Sequence, residues 1–80
     1  MTEPLFNPTD PLFRAIAYTI RTAREKENLT QQELGELVGY SGCFAQVSVA
    51  RWEACTRPIP RTMYRPLCNA LKLPLECIVP

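Results

Sequence analysis

The segment from Asn28 to Glu53 constrains this chain more than any other. Thr30-Gln31-Gln32-Glu33 is a capping box. In such a box the threonine hydroxyl accepts from the amide three residues on, and the glutamate there reaches back to the threonine amide. Leu34, Leu37 and Val38 follow on one face at helical spacing, and Gly39 supplies a residue that stops a helix. The pattern predicts a helix over 31–38 with those three side chains buried. After a short interval, Gln46-Val47-Ser48-Val49-Ala50-Arg51-Trp52-Glu53 predicts a second helix over 46–54 with Val49 and Trp52 turned inward. Small polar groups and Arg51 are left on its outer side. Two short helices around a tight corner, the second keeping a polar face, suit entry into a DNA groove.

The flanking chain completes a helical domain. Asp10-Pro11 is a helix start, an N-cap acceptor followed by proline at the first helical position. Phe13, Ile16, Ala17, Ile20 and Ala23 then recur at helical spacing up to Asn28, a residue that tolerates the left-handed backbone of a helix end. This predicts a helix over 11–27. Arg57-Pro58-Ile59-Pro60 is a loop, because its prolines exclude regular helix. A further helix is predicted over 62–72, with Tyr64, Leu67, Cys68 and Leu71 at core spacing and Pro66 in the first turn if the helix begins late. Pro74 opens a last short turn holding Leu75 and Ile78. Residues 1–10 have no helical period and read as an extended arm, in which Leu5 and Phe6 are docking candidates. The expectation is an all-α fold, with an arm over 1–10 and one domain over 11–80.

Eighty residues suffice for a single modest core. A content of 46% hydrophobic and 21% charged residues is a globular balance, not a disordered one. No apolar run is long enough to span a membrane, and the N-terminus carries no basic stretch leading into an apolar one. The expectation is a cytoplasmic protein without membrane contact. Cysteines stand at 43, 55, 68 and 77, with no C-x-x-C pair and no histidine, so zinc spacings are absent and the thiols read as reduced structural residues. No paired carboxylates, phosphate-cradling glycine loop or histidine partner for a cysteine nucleophile is evident, so no enzyme, cofactor, metal or small-molecule ligand is expected. The net charge is +1, but residues 51–72 carry Arg51, Arg57, Arg61, Arg65 and Lys72 against Glu53. A basic segment on a near-neutral domain suits a partner with repeating negative charge.

From about Ile16 to Ile78 the chain resembles the phage-repressor and Cro-type helix-turn-helix family, also called the xenobiotic-response-element class. The residues that carry the resemblance are Ile20, Arg24, L-T-Q-Q-E-L at 29–34, Gly39, Q-V-S-V-A-R-W-E at 46–53, Arg57 and A-L-K-L-P-L at 70–75. The resemblance implies a compact five-helix domain that binds double-stranded DNA, usually as a dimer, with the third helix in the major groove. It implies base reading by Gln46, Val47, Ser48 and Arg51. Glutamine pairs bidentately with adenine, an apolar valine meets only a thymine methyl or a sugar, and arginine suits guanine. It implies backbone contacts from Gln31, at the start of the second helix, and from Arg57 and Arg61 after the third. It pairs Arg24 with Glu53 as an internal ion pair.

Three departures bear on these roles. The interval from Gly39 to Gln46 is about four residues longer than the family's usual turn. Either the loop bulges, or Ser41 caps a third helix that starts one turn early; in both cases Phe44 lies near the outer face. Cys55 stands where the family usually has a helix-ending glycine, so a different helix end is expected. Ala54 stands where a polar phosphate contact is frequent.

The expected function is a sequence-specific transcriptional regulator, in the role of a repressor, acting as a homodimer on a palindromic operator. Leu75, Ile78 and Val79 are the expected interface, being neighbouring apolar residues late in the chain. The alternative is an interaction module, antitoxin or adaptor, that keeps this fold without reading DNA. Phe44, Val47 and Ala54 favour it by making the outer face more apolar than a groove reader needs.

Overall fold

Asp10 closes a short hydrogen-bonded turn and opens the first helix. Its amide donates to the Asn7 carbonyl at 3.0 Å, and its carboxylate accepts from the Leu12 amide at 2.8 Å. The computed structural model describes residues 7–74. Four α-helices follow in order: α1 (Pro11–Lys26), α2 (Gln31–Leu37), α3 (Cys43–Glu53) and α4 (Tyr64–Leu71), with one 3-10 turn at Arg61–Met63 leading into α4. The chain is therefore all-helical among the described residues. The fifth helical segment expected after Pro74 lies outside them. Pro66 occupies the third position of α4, where an amide has no partner within the helix and its loss is harmless. No helix among the described residues is long and apolar enough to cross a membrane.

The core forms where the four helices converge. Ile16, Ile20 and Ala23 of α1, Leu34 of α2, Val38, Val49 and Trp52, and Leu67, Cys68 and Leu71 of α4 make one buried cluster. Tyr40, in the turn after α2, meets Trp52 edge-on with ring centroids 5.8 Å apart, an arrangement aromatic pairs favour. Two expected core positions differ. Leu37 is 60% exposed. It lies two residues, about 200° of helix, from Gly35, and Gly35 is where α2 meets α3. Tyr64 is only half-buried, because it sits at the first position of α4.

The junction between α2 and α3 decides where α3 begins. An ideal Cβ placed on Gly35 would stand 2.4 Å from the carbonyl oxygen of Ala45. Glycine is thus what lets α3's backbone lie against α2, and Ala45 is fully buried there. The expected start at Gln46 is therefore corrected: α3 begins at Cys43, three residues earlier. Of the two alternatives for the longer interval, the extra residues become helix. Ser41, however, is not the cap. Gly42 is, with φ 60° and ψ −149° and no side-chain capping bond, a conformation essentially confined to glycine. The Gln32 amide nitrogen donates to the Gly42 carbonyl at 3.0 Å and ties the corner to α2.

All four helices end in the same way. The residue after α1, α2, α3 or α4, or one beyond it, takes positive φ: Asn28, Gly39, Cys55 and Lys72. The next amide then reaches back five residues, as in Leu29 to Arg24, Tyr40 to Gly35, Thr56 to Arg51 and Leu73 to Cys68. This is the Schellman closure. Cys55 corrects a second expectation. It does not avoid the left-handed conformation but adopts it, with φ 58°, because the closing bonds and the buried Trp52 just before it determine the path. A side chain in that region costs about 1–2 kcal/mol. Cys55→Gly is accordingly expected to stabilise the domain by about 1 kcal/mol, read as a higher urea midpoint at unchanged slope. An unchanged or lower midpoint would contradict it.

Candidate nucleic-acid interface

A chain of polar contacts runs from α1 through α2 to the middle of α3. The Arg24 guanidinium donates to both Glu53 oxygens, from Nε at 2.6 Å and Nη2 at 3.1 Å, and its Nη1 donates to the Leu29 carbonyl at 2.8 Å. Both side chains are largely withdrawn from water. Glu53 holds the Arg24 pKa above its ordinary value, mainly through these hydrogen bonds. The Gln31 amide nitrogen donates to Glu53 Oε1 at 3.2 Å, and Gln31 Oε1 accepts from Gln46 Nε2 at 3.2 Å. A bidentate, charge-assisted pair is directional. It therefore orients Gln31, which in turn orients Gln46.

Of the residues singled out from sequence, the structure brings Arg24, Glu53, Gln31 and Gln46 together. Gln46 is exposed beyond that contact, and Arg51 is exposed one turn along from Val47. Ser48 is half-buried on the flank of α3, which limits its reach. Arg57 is exposed in the loop after α3, and Arg61 is exposed at the start of the 3-10 turn. Leu75, Ile78 and Val79 lie outside the described residues, as do Leu5 and Phe6.

Because α3 begins early, its outer face is longer than sequence reasoning allowed. Phe44, Val47 and Arg51 share that face at i, i+3 and i+7, opposite the buried Ala45, Val49 and Trp52. Phe44 is 70% exposed and Val47 37%. Cys43, in the added turn, is an exposed free thiol. Among the described residues no group of three His, Cys, Asp or Glu side chains comes together to hold a metal ion.

Sequence reasoning passed over one further surface. An open cleft of about 500 Å³ separates the middle of α1 from the end of α3, with Arg14, Tyr18 and Arg21 on one wall and Cys55 and Thr56 on the other. Those α1 residues recur at i, i+4 and i+7, a spacing that was there to be read. Arg21 also meets Glu25 at 3.6 Å, but both are more than half exposed, so the pair contributes little.

No family model, curated protein or solved structure matches this chain.

Proposed function

We propose that this chain is a sequence-specific double-stranded DNA-binding regulator of the phage-repressor helix-turn-helix type, a repressor acting as a homodimer on a palindromic operator. The single observation that carries this proposal is the oriented Gln31–Gln46 pair anchored on Glu53. Gln46 spends one amide N–H on Gln31. It keeps the oxygen and the second N–H, the acceptor and donor that together match the major-groove edge of adenine. Gln31 likewise keeps an N–H for a phosphate oxygen. Arg51 lies on the same helix for guanine, Val47 for an apolar contact, and Ser48 in a supporting role. Arg57 and Arg61 supply positive charge beside the helix for the DNA backbone. Two domains on a two-fold axis would place their third helices in successive major grooves, about 34–36 Å apart, and a palindromic site would reflect that symmetry.

Selection of bound duplexes from a random pool, at two salt concentrations, tests the proposal. The expected result is a palindromic consensus whose affinity falls steeply with salt. Binding without sequence preference, or none, would overturn it. The exposed Phe44 and Val47 favour a second reading, a protein-interaction module, and that reading predicts the failing result.

The two classes of contact should separate by mutation. Gln46→Ala or Arg51→Ala is expected to relax preference at one or two base pairs by about 1–3 kcal/mol each. Arg57→Ala and Arg61→Ala should weaken binding to all duplexes alike and reduce the salt slope by roughly one unit. Unchanged selectivity in both reading variants would place the reading face elsewhere on α3.

A further inference from the structure

Resting on the DNA-binding function proposed above, we propose that the added first turn of α3 makes this site a reader of thymine methyl groups, with Phe44 and Val47 as the specificity-determining side chains. The polar members of the outer face are few. Gln46, two residues and about 200° around α3 from Phe44, turns toward Gln31 on α2, and Arg51 is the one charged residue among the outward positions Phe44, Val47 and Arg51. The other two outward side chains, Phe44 and Val47, are apolar. In the major groove the C5-methyl of thymine is the apolar feature that distinguishes base pairs. A helix presenting Phe44 and Val47 three residues apart offers two apolar contacts to that groove, with Arg51 a further turn along.

The charge that flanks the patch favours DNA as its occupant. The apolar patch is small, with Phe44 70% and Val47 37% exposed. Leu37 does not enlarge the patch, because it lies about 200° around α2 from the α3 contact at Gly35. The flanking charge also fits a polyanion. Arg51, Arg57, Arg61 and Arg65 are all exposed along the segment that follows.

Deoxyuridine tests this directly, because it differs from thymidine only by the missing methyl and leaves every hydrogen-bonding group in place. Sites are first selected from a random pool containing no methylated cytosine, so the methyl groups on offer are thymine's. Each thymine of the selected site is then replaced singly by deoxyuridine, and binding is measured for the unaltered chain, Phe44→Ala and Val47→Ala. Both side chains are outside the core, so the variants should keep the fold, which thermal melting checks. The expected result is a loss of about fourfold for each contacted methyl, with the effect at one position vanishing in Phe44→Ala and at another in Val47→Ala. Selective binding that is indifferent to deoxyuridine, or a methyl effect that survives both substitutions, would overturn methyl reading while leaving DNA recognition standing. Absence of selective binding in the unaltered chain would overturn both.

Discussion

Replacing Gly35 with alanine is expected to bring the domain close to unfolding. The added Cβ would fall 2.4 Å from the Ala45 oxygen and 2.6 Å from that residue's carbonyl carbon and Cα. These are backbone atoms of a facing helix and cannot swing aside as a flexible side chain would. Alanine is the better helix former by about 0.8–1.0 kcal/mol, so local propensity alone would raise stability. Overpacking of a fitted contact commonly costs about 1–3 kcal/mol and sometimes more. With rigid backbone on both sides, a net loss of about 3 kcal/mol or more is expected. A domain of this length holds roughly 4–12 kcal/mol in all, so the change removes a large share. Thermal melting followed by circular dichroism would register it. Ala45→Gly should not rescue the variant, because the clash is with main-chain atoms. A Gly35→Ala variant as stable as the parent would show that α2 and α3 do not approach this closely.

The second large effect is expected at Glu53. Glu53→Gln keeps the shape of the side chain but removes the charge opposite Arg24, whose side chain is only 13% exposed. Arg24 would then retain its charge with the Leu29 carbonyl and a neutral amide as acceptors. Removing one partner of a buried pair typically costs about 3–5 kcal/mol, and the lower end is expected here because Arg24 keeps some contact with water. The Gln31 contact weakens with it, so selectivity at the base pair read by Gln46 should fall as well. Replacing both partners, as Arg24→Met with Glu53→Leu, should cost much less than either single change implies, because no uncompensated charge remains. Unchanged melting of Glu53→Gln would rule out the pairing as a structural support.

Most of the helical boundaries were legible because they depend on neighbouring residues. The Asp10-Pro11 start, the reciprocal Thr30 and Glu33 bonds and the left-handed Asn28 each involve chemistry within five residues. The inward face of α3 was also legible from the spacing of Val49 and Trp52. Gly35 was not. A glycine inside a helical pattern carries no sign of what approaches it, and only Ala45, ten residues away, gives it a role. The burial of Leu37 was misjudged for a related reason. Periodicity identifies an apolar face but not which side of it a neighbouring helix covers, and a seven-residue helix offers little to cover. At the candidate site, Arg24, Glu53, Gln31, Gln46 and Arg51 were named from sequence. The Arg24–Glu53 pair was expected from the resemblance, but its extension through Gln31 to Gln46 was not, because those contacts join residues 22 and 15 positions apart on different helices.

Local sequence by itself determined that this chain forms short capped helices, and where most of them start and stop. Caps, prolines and positive-φ residues act over single turns, and their hydrogen bonds close within the segment that encodes them. Tertiary structure decided how the residues after Gly39 are used. Ala45 packs into the space that Gly35 leaves empty, so Cys43, Phe44 and Ala45 become helix rather than loop. That packing lengthens α3 and adds an aromatic side chain to its outer face. It also decided that Cys55 would take a left-handed backbone its side chain disfavours. Burial of Trp52 and anchoring of Glu53 set the end of α3, and at Cys55 this packing outweighs a local penalty of about 1–2 kcal/mol.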